Sequence, residues 1–105
     1  MINLSKNLID NFERKVRGQI VLPNALAVRV DVAERGQLQP TLEKVEQTLG
    51  PVDILVNNAG IVTVKGILDH TPEDWDQLIE TNLNACFLLW KLAAQSMVKR
   101  TTARR

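Results

Sequence analysis

The stretch Val52-Asp53-Ile54-Leu55-Val56-Asn57-Asn58-Ala59-Gly60 decides the fold of this chain. Its first five positions are nearly all apolar, as expected for a short strand in a sheet that is covered on both faces. From residue 57 onward the sequence changes abruptly to two amides, a methyl side chain and a glycine. Ligands of open parallel sheets bind just beyond the carboxyl ends of the strands. The stretch therefore predicts a strand over residues 52–56 that ends at a ligand contact or at a simple turn, since Asn and Gly are also common turn residues.

A second strand and a helix are predicted upstream of this stretch. Residues 25–32 are rich in β-branched side chains and alternate in character, which is typical of a strand. Its alternating apolar positions are Leu26, Val28, Val30 and Val32. Apolar residues then recur at intervals of four, three and four, at Leu38, Leu42, Val45 and Leu49. This spacing predicts an amphipathic helix that ends at Gly50-Pro51, with Gly50 in the left-handed conformation after the last turn.

A long helix is predicted downstream, from Thr71 to about Lys99. Thr71 can accept hydrogen bonds from the free N–H groups of the first turn, and Pro72 needs no donor there. The acidic residues Glu73 and Asp74 suit the positive end of the helix dipole. The stripe that would face the core consists of Trp75, Leu78, Ile79, Asn82, Cys86, Leu89, Ala93 and Met97.

A further amphipathic helix is predicted over residues 4–17, where apolar side chains recur at intervals of four. The chain then reads as helix, strand, helix, strand and long helix. That order of elements is typical of an α/β fold with parallel strands and flanking helices. We expect a single domain over residues 1–105, because this length allows only one modest core.

The composition excludes several classes of function. The chain has 105 residues, 45% of them hydrophobic and 24% charged, and a formal net charge of +1. This near-neutral charge gives no reason to expect nucleic acid or an anionic membrane as a partner. His70 is the single histidine and has no cluster of cysteines or carboxylates at metal-binding spacing, so no metal site is predicted.

The cysteine content and the N-terminal segment bear on localisation. Cys86 is the single cysteine and cannot form an internal disulfide, which predicts a reducing, cytoplasmic setting. The basic segment over residues 1–17 is also compatible with a mitochondrial presequence. Asp10 and Glu13 count against that alternative, because such presequences are poor in acidic residues.

Three motifs, in order along the chain, resemble those of the short-chain dehydrogenase/reductase family. They are Asp31-Val32 (the family's Asp-Val element), Asn57-Asn58-Ala59-Gly60 (its Asn-Asn-Ala-Gly signature) and Asp74-Trp75 with Thr81-Asn82-Leu83 (its long interface helix). The resemblance covers about residues 25–100 and is greatest to the 3-oxoacyl-carrier-protein-reductase-like branch. It implies a partial Rossmann fold that binds NAD or NADP.

The resemblance also implies a role for each of five residues at a partial cofactor site. In the family, the Asp-Val aspartate accepts from the adenine amino group and the valine flanks the ring, so these roles are implied for Asp31 and Val32. A carboxylate suits that contact because it only accepts. The alternative for Asp31 is a carboxylate that caps the following turn. The backbone matching Asn58, Ala59 and Gly60 lies along the ribose of the adenosine.

Two asparagines have separate expectations. Asn57 is expected to be mostly structural and to tie neighbouring strands together. Asn82 falls on the apolar stripe of the long helix, and a buried amide without a partner costs on the order of 1–3 kcal/mol, so it should be hydrogen-bonded. The resemblance implies a catalytic role for it, at a local kink whose backbone holds a water in the proton relay to a lysine. The alternative is a structural amide bonded to the neighbouring chain.

Several elements of the family's pattern are not found in these 105 residues. There is no Gly-rich Thr-Gly-x-x-x-Gly-x-Gly turn, and there is no tyrosine from which a Tyr-x-x-x-Lys motif could be built. In the family's strand order, 3-2-1-4-5, the two predicted strands are numbers three and four. At about 4.8 Å per strand they would lie roughly 14 Å apart, each without its hydrogen-bonding neighbours.

The sequence therefore leaves three hypotheses for function. The first is a fragment of an NAD(P)-dependent oxidoreductase that interconverts carbonyl and alcohol groups and is inactive alone. The second is a non-catalytic family member that acts as an assembly or regulatory partner, or as a homo-oligomer, through the helix over residues 73–99. The third is an α/β module without a ligand.

Overall fold

The computed structural model of the chain describes residues 25–103. Its elements are α1 (Arg35–Leu49), a 3-10 helix (Ile67–Asp69), α2 (Pro72–Ile79), a π turn (Glu80–Asn84) and α3 (Ala85–Ala103). The last three follow one another without a break and form the predicted long helix. The predicted helix over residues 4–17 lies outside the described residues. None of the helices between residues 25 and 103 combines the length and the apolar character needed to cross a bilayer.

The two predicted strands are not strands in the described part of the chain. Neither residues 25–32 nor residues 52–56 pair in a β-ladder there. The physical reason is that a strand satisfies its backbone groups through a neighbouring strand, and no described segment supplies one. The alternation that led to the prediction is still visible, because Val30 and Val32 are 9% and 3% exposed while Asp31 between them is exposed.

The core is small and is shared by α1, α3 and two apolar segments, the first over residues 25–32 and the second over residues 52–56. One cluster of its buried side chains consists of Val30, Val32, Leu38, Ala85 and Leu89. Leu55 and Ala59 pack against this cluster, so the segments that contain Val32 and Leu55 contact the same core. The opposite face of the second segment is open, with Ile54 78% exposed. The expectation that both faces are covered was therefore wrong, because no described element packs on that side.

Helix α1 begins at Arg35, three residues before Leu38, where the apolar repeat that predicted the helix begins. Leu38 and Leu42 are buried, whereas Leu49 is 47% exposed, so the apolar stripe is packed only in its first half. Gly50 follows the last turn with a φ of +92°, and its N–H donates to the carbonyl of Glu46 at 3.0 Å. This confirms the predicted helix end, because glycine adopts positive φ without the steric penalty of a side chain.

Helix α2 begins at the predicted Thr71 cap, which the structure extends to a capping box with Asp74. The Oγ1 atom of Thr71 accepts the Asp74 N–H at 3.1 Å, and Asp74 Oδ2 accepts the Thr71 N–H at 3.0 Å. Lys65 Nζ donates to the same carboxylate oxygen at 2.6 Å. The hydrogen bond from Lys65, followed by those from Thr71, lowers the pKa of Asp74 from 3.8 to about 2. The carboxylate therefore binds these donors in its ionised form.

Protonation of Asp74 is expected to weaken the start of the long helix. Since the pKa of the folded chain lies below the ordinary value, the ionised carboxylate stabilises the fold above about pH 4. That stabilisation is lost as the pH falls towards about 2. Circular dichroism melts of the chain and of Asp74→Asn should therefore differ in Tm near neutral pH and converge in acid. Asp76→Asn, on the exposed side of the same helix, is the control, and a difference that persists unchanged in acid would contradict the assignment.

Candidate functional site

The candidate site lies where the Asn57–Gly60 run meets the core and the π turn. A shallow depression there is lined by Val32, Val56, Asn57, Asn58, Ala59, Thr81, Ala85, Cys86 and Leu89. Its lining comes from three separate parts of the sequence. Three of the residues predicted to bind a cofactor, Val32, Asn58 and Ala59, lie around this one depression. Core packing therefore brings together motifs that are far apart in the chain.

Asp31 lies next to Val32, and its carboxylate makes a local contact. Its Oδ1 atom accepts the Ala33 N–H at 3.0 Å, and its carbonyl accepts the Glu34 N–H at 3.1 Å. The Asp31 N–H donates to Gln37 Oε1 at 3.3 Å. The carboxylate thus caps the turn into α1, which is the structural role considered for it. The residue is exposed, and the predicted adenine contact stays a prediction.

The remaining predicted cofactor residues differ in exposure. Val32 is 3% exposed, so only an edge of it reaches the depression. Asn58 and Gly60 are exposed, and Ala59 is half-buried against the core. A Cβ atom at position 60 would lie 3.6 Å from Asn82 Oδ1, which is an ordinary contact. The described residues therefore leave the backbone around Gly60 accessible to another molecule.

Asn57 does not have the neighbour that its expected structural role requires. Its Nδ2 atom is buried and has no hydrogen-bond partner among the residues that the structure describes. We expected this side chain to tie adjacent strands together. Because no ladder forms beside it, that role is not seen within residues 25–103.

Asn82 joins the π turn to the residue directly after the Asn57–Gly60 run. Its Nδ2 atom donates to the carbonyl of Ile61 at 2.9 Å, and its Oδ1 atom accepts the Ile61 N–H at 2.9 Å. The predicted hydrogen-bond partner is therefore found. Asn82 is exposed, however, whereas its place on the apolar stripe predicted burial. A π turn places more residues in each turn than an α-helix, which rotates this position away from the buried face.

The π turn coincides with the position at which the resemblance implied a local kink. The N–H of Ala85 donates to the carbonyl of Glu80, five residues earlier. The Cys86 thiol lies 3.5 Å from the carbonyl of Asn82 and donates to it. Isolated π turns within α-helices occur frequently at functional sites. The irregularity is thus present at Asn82, and its part in a proton relay stays a prediction.

Glu80 is a residue next to the site that the sequence analysis missed. Its carboxylate accepts from Arg35 Nε at 2.5 Å and Arg35 Nη2 at 2.7 Å, and Oε2 also accepts from Asn84 Nδ2 at 2.7 Å. The hydrogen bond from Arg35, followed by that from Asn84, lowers the pKa of Glu80 from 4.5 to about 2. The same hydrogen bond raises the pKa of Arg35. Arg35 and Glu80 are 45 residues apart, so no local pattern could have indicated the pair.

Polar contacts also hold the start of the second apolar segment, at the end away from the site. Arg100 Nη1 donates to Asp53 Oδ1 at 2.8 Å, and Arg100 Nη2 donates to the carbonyl of Val52 at 2.7 Å. Ser96 Oγ donates to Glu46 Oε1 at 2.5 Å. These contacts connect α1, α3 and the segment, so its first residues are fixed by side chains.

Comparison with known proteins gives concordant matches. The family model described as short chain dehydrogenase matches residues 1–104. The 3-oxoacyl-(acyl-carrier-protein) reductase of Escherichia coli is 36% identical over 81 residues, which cover 77% of this chain and 33% of that protein. The corresponding reductase of Thermotoga maritima is 34% identical over 98 residues, covering 92% of this chain and 39% of that protein. The chain thus spans about a third of the length of the curated relatives that it matches.

Solved structures agree with these matches. A short-chain dehydrogenase from Novosphingobium aromaticivorans aligns with a TM-score of 0.79 and 31% identity, covering 93% of this chain and 36% of that chain. This likeness supports the predicted α/β class for a chain whose described residues contain helices and no β-ladder.

Replacement of Asn82 should expose the backbone of Ile61. Asn82→Ala removes both hydrogen bonds, so the free energy of unfolding is expected to fall by about 1–2 kcal/mol and the Ile61 amide to exchange faster. Asn82→Asp keeps the acceptor and loses the donor, so the Ile61 amide should remain protected. Amide exchange followed by NMR measures both effects. Gln95→Ala, at an exposed position of α3, is the control, and unchanged Ile61 exchange in Asn82→Ala would contradict the assignment.

Proposed function

The chain belongs to the short-chain dehydrogenase family, with relatives of the 3-oxoacyl-(acyl-carrier-protein) reductase type, and on this premise we propose that it forms the adenosine side of an NAD(P) site. The complete site would belong to an oxidoreductase that interconverts carbonyl and alcohol groups. The observation that carries the proposal is the convergence of Val32, Asn58 and Ala59 on one depression beside the exposed Asp31.

The residues around the depression fit the adenosine part of such a cofactor. Asp31 can hold the Ala33 N–H with Oδ1 while Oδ2 accepts from the adenine amino group. The edge of Val32 provides an apolar wall for the ring. The ribose would lie along the backbone from Asn58 to Gly60, where small side chains permit a close approach.

The chemistry of the reaction requires groups beyond these residues. When bound, the cofactor supplies or receives the hydride. The chain contains no tyrosine, so we propose that the proton donor lies outside these residues and that the chain is inactive alone. Asn82 would act in the proton relay through its backbone carbonyl at the π turn, while its side-chain amide remains bound to Ile61.

The proposal also covers the domain architecture and the cellular location of the chain. Residues 1–105 would form one partial Rossmann domain, in which residues 25–32 and 52–56 correspond to strands three and four of the order 3-2-1-4-5. The neighbouring strands of a complete sheet would then supply the backbone partners that these segments lack within the described residues. A cytoplasmic location is proposed because the single Cys86 favours a reducing compartment.

Substitution of Asp31 tests the adenosine site directly. In Asp31→Asn, Oδ1 can still cap the turn, but an NH2 group replaces Oδ2 and faces the donor of the adenine. We expect the affinity for NADPH and for 5′-AMP to fall about tenfold, or about 1.4 kcal/mol, with little change in Tm. Titration by nicotinamide fluorescence and by calorimetry measures this loss. Asp76→Asn is the control, and equal binding by Asp31→Asn and the unmodified chain would contradict the role of Asp31.

A second candidate function is assembly through the helix over residues 73–99. Large apolar side chains are exposed along it, at Leu83 (59%), Phe87 (59%), Trp90 (60%) and Val98 (63%). Their spacing places them on one face of the helix. Exposed apolar faces of this kind mark interaction surfaces. We propose that this face pairs with its counterpart in a second copy or with a related subunit.

Disruption of this face should weaken self-association. Trp90→Lys places a charge at its centre, so the dissociation constant measured by analytical ultracentrifugation is expected to rise at least about tenfold. Gln95→Lys adds the same charge about 140° around the helix from Trp90 and should have little effect. A chain that is monomeric at all concentrations before substitution would exclude the homo-oligomer.

A further inference from the structure

The two halves of the proposed nucleotide site are not connected by a β-ladder in the described part of the chain. One half is the turn that begins at Asp31, and the other is the backbone from Asn58 to Gly60. In a sheet, ladder hydrogen bonds would fix the distance between two such segments. Within the described residues, side-chain contacts and the small core have to fix this distance instead.

The Asp31 turn is rigidly connected to Arg35. The carbonyl and carboxylate of Asp31 hold the N–H groups of Glu34 and Ala33, and its own N–H is bound by Gln37. Arg35, the first residue of α1, lies within this hydrogen-bonded stretch. A displacement of Arg35 would therefore move the Asp31 carboxylate with it.

The other half is connected in the same way to Glu80. Glu80 is the first residue of the π turn, and Asn82 two residues later binds both backbone groups of Ile61. Ile61 directly follows Gly60. Thr81, between Glu80 and Asn82, is 8% exposed and lines the depression. The position of Glu80 thus sets the position of the ribose-side backbone.

The contact between Arg35 and Glu80 has the geometry required to join these halves. Two parallel hydrogen bonds, of 2.5 and 2.7 Å, connect the planar guanidinium to the carboxylate. This fork restricts rotation as well as distance. Asn84 Nδ2 also donates to this carboxylate, at Oε2. The side chain of Arg35 is 61% exposed and that of Glu80 is 24% exposed. Because exposed ion pairs contribute little to overall stability, this pair would act mainly by fixing the distance and orientation of the two halves.

We propose that Arg35 and Glu80 are positioning residues for the nucleotide site, which hold the Asp31 turn at a fixed distance from the Asn58–Gly60 backbone. This inference rests on the proposed function for its ligand. The positioning itself is a property of the chain and can be measured without a ligand.

The experiment compares Glu80→Gln and Arg35→Met with the charge-exchanged double variant Arg35→Glu/Glu80→Arg. Asp53→Asn, which breaks the exposed ion pair with Arg100 at the opposite end of the segment, is the matched control. The ligand-free readout is exchange of the Ile61 amide by NMR, which we expect to accelerate about three- to tenfold in both single variants. The double variant should restore it, and Asp53→Asn should leave it unchanged.

The second readout is the dissociation constant for 5′-AMP and NADPH, which we expect to rise about tenfold in the single variants with only a small shift in Tm. If the unmodified chain binds neither nucleotide, the proposed function fails, and Ile61 exchange still decides the positioning role. Unchanged exchange in Glu80→Gln and Arg35→Met overturns the inference. An equal acceleration in Asp53→Asn also overturns it, because the effect would then be a general loosening of the fold.

Discussion

The amide of Asn82 satisfies both the N–H and the carbonyl of Ile61, and the placement of the candidate site depends on this pair of hydrogen bonds. In a sheet, a neighbouring strand would bind such backbone groups. Here a side chain on the π turn takes that place and holds the end of the Asn57–Gly60 run against the long helix. The helical irregularity and the site are therefore parts of one arrangement.

Side chains, rather than backbone ladders, connect the described elements to one another. Arg100 binds the start of the second apolar segment, and Glu80 binds Arg35 at the start of α1. These contacts surround a core of only a few buried side chains. Each of these contacts joins elements that are far apart in the sequence.

Features that depend on neighbouring residues could be predicted from the sequence. The cap formed by the Thr71 hydroxyl and the positive φ of Gly50 are examples, since a hydroxyl near a free N–H and a residue without a side chain act within one helical turn. The motif at Asn57–Gly60 and the irregularity around Asn82 were also indicated, through the family resemblance. The prediction of paired β-strands was wrong for the described residues, because a ladder requires a partner strand that no local pattern can supply.

By itself, the sequence determined that helices lie between residues 35 and 49 and after Thr71, that the first of them ends at Gly50, and which motifs identify the family. Those properties follow from local propensity and from residue identity. The family resemblance assigned Val32, Asn58 and Ala59 to one site, and the tertiary structure placed them around one depression. Tertiary structure alone decided that Asn82 is exposed and bonded to Ile61, and that Arg35 meets Glu80. The physical reason is that these contacts join residues far apart in the chain, and their formation depends on how the helices pack.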